Sequence, residues 1–281
     1  MRWLAQLVVD IRDAGIADEP LLVGALARDL LLHYGYDIAV SRATRDIDFA
    51  IAVADWPAFE SLRAALLAKG RFTQHKSAVH RLRHVESGWI DLLPFGAIER
   101  SDGTIAWPPS GDEVMSVIGY READATAIRV SLPQTVTVRV VSLPMLCVLK
   151  LLAWKDRHTV EPGKDAIDLW LILRNYLDAG NMDRLYGEMA YLLTDDFDIE
   201  RTGAWLAGND ASTLLKQYSD RAESIVETMA NFLDTELDLD GQLTLITQMN
   251  SGEPDKARRL LAAFYGGLIG TEAGEAPDAE R

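Results

Sequence analysis

RATRDIDFAI, residues 42–51, sets two aspartates one residue apart at the head of an apolar run. Side chains two residues apart in a strand face the same side of a sheet. If this run is a strand, Asp46 and Asp48 therefore aim at one region. Two carboxylates so placed repel, and each raises the other's pKa unless something positive lies between them. A third carboxylate stands in GWIDLLPFG, residues 88–96, where Asp91 interrupts a second apolar strand. Burying a carboxylate there is costly unless it is paired or metal-bound. Three aspartates on two neighbouring strands form a donor set for hard divalent cations. Mg²⁺ takes carboxylate, water and phosphate oxygens and keeps few protein ligands. Two such ions close together activate an attacking hydroxyl and stabilise a leaving phosphate oxygen. Taken alone, an Asp-x-Asp pair is also compatible with a helix cap or a solvent-facing strand end.

Upstream, LLVGALARD reads as a short strand, a tight turn at Gly24 and the start of a helix. Backbone N–H groups at such a junction, with the helix dipole behind them, favour a phosphate. An ordinary turn glycine would give the same pattern. Downstream of the Asp pair, residues 61–85 contain no acid and hold Arg63, Lys69, Arg71, Lys76, Arg81 and Arg83 with three of the five histidines. The chain as a whole carries a formal charge of −15. That balance excludes indiscriminate nucleic-acid binding, which needs clustered cations. The basic interval is then either a local site for an anion or a solvated strand face. His75, His80 and His84 lack zinc-ligand spacing and have no cysteine partners.

The remaining organisation follows from periodicity. Residues 2–15 and 58–68 carry helical patterns, and a Ser87-Gly88 turn joins two strand-like runs as a hairpin. TIAWPP and TVTVRVV are further strand candidates, and from Ser142 onward the pattern is helical. The expected fold is α/β (α+β), with a mixed sheet in domain 1–141, a helical domain 142–266 and a disordered acidic tail 267–281. The single cysteine excludes a disulfide framework and fits a reducing compartment. No run approaches the roughly 18 apolar residues of a membrane span, and no signal-peptide pattern opens the chain. A cytoplasmic protein is expected. Cys147 and the tryptophans Trp154, Trp170 and Trp205 read as core.

The order of Gly24-Ala25, Asp46-Ile47-Asp48 and Asp91 resembles the DNA polymerase β-like nucleotidyltransferase superfamily. LLVGALARDLLLHYG is similar to the GGxxRDxLL segment of tRNA CCA-adding enzymes, which aligns Arg28 with the family arginine. SLPMLCVLKLLAWKDR and GKDAIDLWLIL resemble the helices of AbiEii abortive-infection toxins and MenT-like nucleotidyltransferases, through Lys150, Arg157, Lys164, Asp165 and Asp168. The resemblance implies transfer of a nucleoside monophosphate from an NTP to an acceptor hydroxyl with two Mg²⁺ ions. Asp46, Asp48 and Asp91 would be metal ligands and catalytic. Gly24, Ala25, Arg28, Arg45 and Lys150 would hold the nucleotide, with Lys150 and Asp165 also catalytic. Lys76, Arg81 and Arg83 would meet an RNA acceptor such as a tRNA, and an antitoxin protein is an expected partner. Without the resemblance, Lys150 reads as a lysine reaching from an apolar helix to solvent, and Asp165 as a helix cap. Ala25 replaces the usual second Gly or Ser, and 21 residues separate Gly24 from Asp46. Those departures leave open a nucleotide-binding module of impaired activity, or a small-molecule nucleotidyltransferase of the antibiotic-modifying kind.

Overall fold

The strand expected at the aspartate pair runs from Asp46 to Val53, in the middle of a mixed sheet. The computed structural model describes residues 1–16, 18–40, 46–238 and 244–271. Along the chain the strands are β1 (Leu21–Val23), β2 (Asp46–Val53), β3 (Phe72–Gln74), β4 (Arg81–His84), β5 (Gly88–Gly96), β6 (Thr104–Ala106), β7 (Val114–Ser116), β8 (Ile128–Ser131) and β9 (Thr137–Val140). Among the described residues the main sheet has the order β3-β4-β5-β2-β1-β9-β8, and β6 pairs with β7 apart from it. β2 runs parallel to β5, and β1 runs parallel to β9. The pairs β1–β2, β3–β4, β4–β5 and β8–β9 are antiparallel.

Two compact units divide the chain: residues 1–27 with 42–142, and residues 28–41 with 143–281. The segment 28–41, read above as part of the first domain, thus groups with the second. In the first unit, α1 (Arg2–Arg12) buries Leu4, Leu7, Val8 and Ile11, the helical stripe its sequence carries. α2 (Gly24–Asp29) starts directly on β1. α3 (Trp56–Ala68) is capped by Asp55, whose side chain accepts from the Ala58 N–H at 2.8 Å. The central strands are apolar on both faces past the aspartates. Phe49, Ile51 and Leu92 are almost fully buried, each contributing about 1.5–3 kcal/mol of transfer energy. A short helix, α4 (Tyr120–Ala125), together with β7 and β8, was not anticipated. β8 is an edge strand of four residues, exposed except for a half-buried Val130.

The second unit is helical: α5 (Leu143–Arg157), α6 (Lys164–Arg174), α7 (Ile199–Tyr218), α8 (Ala222–Asp238), α9 (Thr244–Met249) and α10 (Pro254–Ile269). α7 and α10 meet backbone to backbone. A Cβ on Gly208 would fall 2.0 Å from the Phe264 carbonyl oxygen, and one on Gly267 would fall 2.0 Å from that of Trp205. Trp154, Trp170, Trp205 and Cys147 are all buried here. α10 continues to Ile269, through the first residues of the stretch expected as a tail, and residues 272–281 lie outside the described ones. No helix among the described residues is long and apolar enough to cross a membrane.

Candidate active site

Register builds the site. Val23 on β1 stands opposite Asp48 on β2, Asp48 stands opposite Asp91 on β5, and Asp91 stands opposite Arg81 on β4. Cross-strand partners share a face of the sheet. One row thus reads Val23, Asp48, Asp91, Arg81. The neighbouring row on that face reads Asp46, Trp89, Arg83. The Arg83 guanidinium lies 6.0 Å from the Trp89 ring centroid, and the His75 ring meets the same tryptophan at 5.1 Å.

Gly24 closes the first row. It leaves β1 with φ +71°, and a Cβ there would fall 2.1 Å from Asp48 Oδ2. Two independent constraints therefore exclude a side chain: the left-handed backbone and a carboxylate resting against the Cα. Ala25, next in sequence, lies in the opening turn of α2. The turn and the Asp-x-Asp strand are thus brought into direct contact.

Arg81 provides the positive charge among the aspartates. Its Nε donates to Asp91 Oδ1 at 2.7 Å, and its Nη2 donates to Asp91 Oδ2 at 2.6 Å. The same Nη2 lies 3.7 Å from Asp46 Oδ2. The hydrogen bonds to Asp91 raise the Arg81 pKa further above its usual value, and the charges of Asp91, Asp46 and Asp48 act in the same direction against burial. Arg81 is thus turned into the carboxylate cluster, and its fork meets both oxygens of Asp91, which stands beside Asp48 as expected. Lys76 and Arg83 remain exposed on the surface. Arg45 lies outside the described residues.

The donor set decides which cation arrangement fits. Asp46 and Asp48 give hard oxygens from one side of β2. Mg²⁺ is commonly held by one or two carboxylates together with substrate phosphates. That pair fits one such ion. Among the described residues no cluster of three His, Cys, Asp or Glu side chains is disposed to hold a metal.

The other expected residues belong to the second unit and are buried with one another. Lys150 Nζ donates to Asp165 Oδ1 at 3.0 Å and makes an ionic contact with Asp168 Oδ2 at 2.5 Å. Arg157 forks onto Asp165, Nε to Oδ2 at 2.7 Å and Nη2 to Oδ1 at 2.8 Å. Arg28 pairs with Asp168 and Asp29. Lys150 does not reach solvent, and Asp165 does not cap α6, whose N-cap is Gly163. Burial works to lower the Lys150 pKa, but Asp168 and Asp165 overcome it and raise the value. Burial likewise favours the neutral acid at Asp165, yet Arg157 and Lys150 hold its pKa below the usual range. Arg28, expected at the nucleotide, is instead a nearly inaccessible counter-ion of Asp168. Lys164 pairs with Glu161 at 3.1 Å.

Sequence reading missed the Arg81–Asp91 pair, although its signal was present. Counting back three residues from His84 and forward three from Gly88, which pair at the hairpin end, brings Arg81 opposite Asp91. It also missed Trp89, which register sets beside Asp46. The Arg28–Asp168 pair spans 140 residues and had no local signal.

Comparison with known families returns one model, described as "Nucleotidyl transferase AbiEii toxin, Type IV TA system", over residues 6–262. A comparison with curated proteins finds no match. Among solved structures, the solution structure of the antibiotic-resistance factor ANT(2'')-Ia is 15% identical, covering 68% of this chain and 96% of that one at a TM-score of 0.36. The crystal structure of ANT(2'')-Ia in complex with adenylyl-2''-tobramycin is 16% identical, covering 67% and 99% at a TM-score of 0.36.

Proposed function

The chain belongs to the AbiEii nucleotidyltransferase toxin family, and from that premise we propose that its first unit transfers a nucleoside monophosphate from an NTP to an acceptor hydroxyl at the Asp46–Asp48 site. One observation carries this reading: the Gly24 turn is pressed against Asp48, so a backbone junction suited to phosphate and a carboxylate pair suited to cation form one surface. In the transfer, the acceptor oxygen forms a bond to the α-phosphorus and the bond to the bridging α–β oxygen breaks. Pyrophosphate leaves with that electron pair, and the hydroxyl proton passes to solvent.

Asp46 and Asp48 would hold Mg²⁺, which, when bound, neutralises triphosphate charge and orients it. Gly24 lets the chain approach closely, and the amides at the start of α2 would bind the triphosphate. Trp89 and Arg83 offer an aromatic face and a cation in the same row as Asp46, a pairing suited to stacking a nucleobase. With exposed Lys76 nearby in sequence, they support an RNA acceptor, a tRNA among the candidates. The family's type IV toxin–antitoxin designation supports an antitoxin protein as a partner.

The test is incubation with each α-labelled ribonucleoside triphosphate in turn, with a total RNA pool, with and without Mg²⁺. Mg²⁺-dependent label on RNA is expected, and Asp46→Asn with Asp48→Asn abolishes it. Transfer that survives the double substitution would remove the assignment.

A further inference from the structure

At the end of the sheet where β1 stops and β2 and β5 begin, a cavity of about 430 Å³ opens within the first unit. Small-ligand pockets run from roughly 300 to 1,000 Å³. Trp3 of α1 and Trp89 of β5 line this one, both half-buried, and buried Leu26 and Ile47 give it an apolar floor. Arg83 and Glu86, from the β4–β5 hairpin, stand at its exposed rim. We infer that the cavity takes one nucleobase of an RNA acceptor, with Trp3 and Trp89 as its aromatic walls. The inference rests on the nucleotidyl-transfer reading above, and adds to it a base subsite and a binding residue, Trp3, that lies outside the carboxylate rows.

Position, chemistry and unmet charge support it. Ile47 lies between the two aspartates, Trp89 is the cross-strand partner of Asp46, and Leu26 follows Gly24 by two residues. Register therefore sets a base seated here beside the carboxylate pair. Indoles suit that occupant, because every base has a π-face to stack, and RNA is read chiefly through unstacked single-stranded bases. The Trp89 ring meets the His75 ring at 5.1 Å, and the hairpin turn is held by Ser87, whose N–H donates to His84 Nδ1 at 3.2 Å. A platform formed in advance lowers the entropic cost of binding. Charge is the third support. Arg83 and Glu86 line one cavity without pairing with each other, and among the described residues neither has a salt-bridge partner. The guanidinium can thus donate to a phosphate, and the carboxylate can accept from an amino group or a ribose hydroxyl. A plain anion would leave both indoles and Glu86 unused. An NTP already has the Gly24 turn for its phosphates, whereas a polymer needs a phosphate partner at the base cavity itself, and Arg83 is placed there.

The test measures binding without turnover. Fluorescein-labelled oligoadenylate, oligocytidylate and oligouridylate are titrated with the full chain and read by anisotropy. An NTP analogue with a non-hydrolysable α–β bridge is titrated with Mg²⁺ in parallel by calorimetry. The RNAs should bind the wild-type chain. Trp3→Ala should weaken them by about tenfold to a hundredfold, the loss of one base–aromatic stack, and leave the affinity of the analogue where it was. Glu86→Gln should change the ranking of the three RNAs, because the carboxylate meets the base or its ribose. That rim position is exposed, so this variant decides the matter if Trp3→Ala does not fold. Removing a negative charge with no base contact would instead strengthen all three RNAs alike, and that result would overturn the inference. RNA binding unchanged in a folded Trp3→Ala, or no RNA binding by the wild-type chain, would overturn it as well. A loss of analogue binding in place of RNA binding would hand the cavity to the donor base and also overturn it. None of these results bears on transfer of label to an acceptor, by which the nucleotidyl-transfer reading is judged separately.

Discussion

Replacing Gly24 by alanine tests the contact on which the site is built. The substitution imposes two costs that can be measured separately. At φ +71° an alanine adopts a left-handed backbone, which costs about 1–2 kcal/mol. The new Cβ would also lie 2.1 Å from Asp48 Oδ2 and 2.9 Å from its Cγ. A relaxed carbon–oxygen approach is roughly 3.3 Å, so the carboxylate must retreat by about 1 Å. Misplacing a reacting constellation by that distance costs on the order of 10²-fold in rate. Gly24→Ala should therefore lose about 1–2 kcal/mol in urea unfolding and about a hundredfold in label transfer, with weaker Mn²⁺ binding in the presence of NTP. An alanine variant with wild-type transfer and wild-type Mn²⁺ affinity would refute the reasoning, because Asp48 would then be free to move without consequence.

Lys150→Met should destabilise the protein by about 3–5 kcal/mol, the cost of breaking a buried ion pair, since Asp165 and Asp168 lose the ammonium between them. Thermal or urea unfolding checks this, and a change below about 1 kcal/mol would mean the cluster is solvated. Gly208→Ala and Gly267→Ala should each cost at least about 1–3 kcal/mol by overpacking, because each new methyl meets a carbonyl at 2.0 Å; unchanged melting temperatures would contradict the backbone contact of α7 and α10. Burial lowers the His84 pKa from 6.5, outweighing the attraction of Asp10. The unfolded chain then binds the proton more readily, so this stability is present above the unfolded pKa and is lost as pH falls through the folded one. Urea unfolding between about pH 5 and 8 should show a shallower acid loss in His84→Asn than in wild type, and equal slopes would refute it.

What the sequence made legible was local or periodic. The strand at Asp46 and Asp48, the Gly24 turn and the Ser87-Gly88 hairpin each announce themselves within ten residues. The helical texture after Ser142 comes from apolar spacing. What escaped was set by pairing at a distance. Nothing near Arg28 foretells Asp168, and an arginine at position 81 reads as a surface cation until the hairpin register is counted out. β8 and α4 escaped for another reason: elements of four and six residues carry too little apolar pattern to stand out. The candidate metal residues were found by residue type, but their present partners depended on register. That is why Asp91 was legible as a carboxylate of the site while its guanidinium partner was not.

The chain passes from one unit to the other after Ala27 and comes back at Arg42 before leaving again at Leu143. Anyone trimming this protein at the obvious seam would produce a C-terminal fragment carrying Asp168 without its arginine. Such a fragment would expose the mistake through insolubility or loss of its melting transition, whereas a version that begins at Arg28 and joins Ser41 to Leu143 by a linker would keep the pair. The borders of the halves are thus written in their counter-ions.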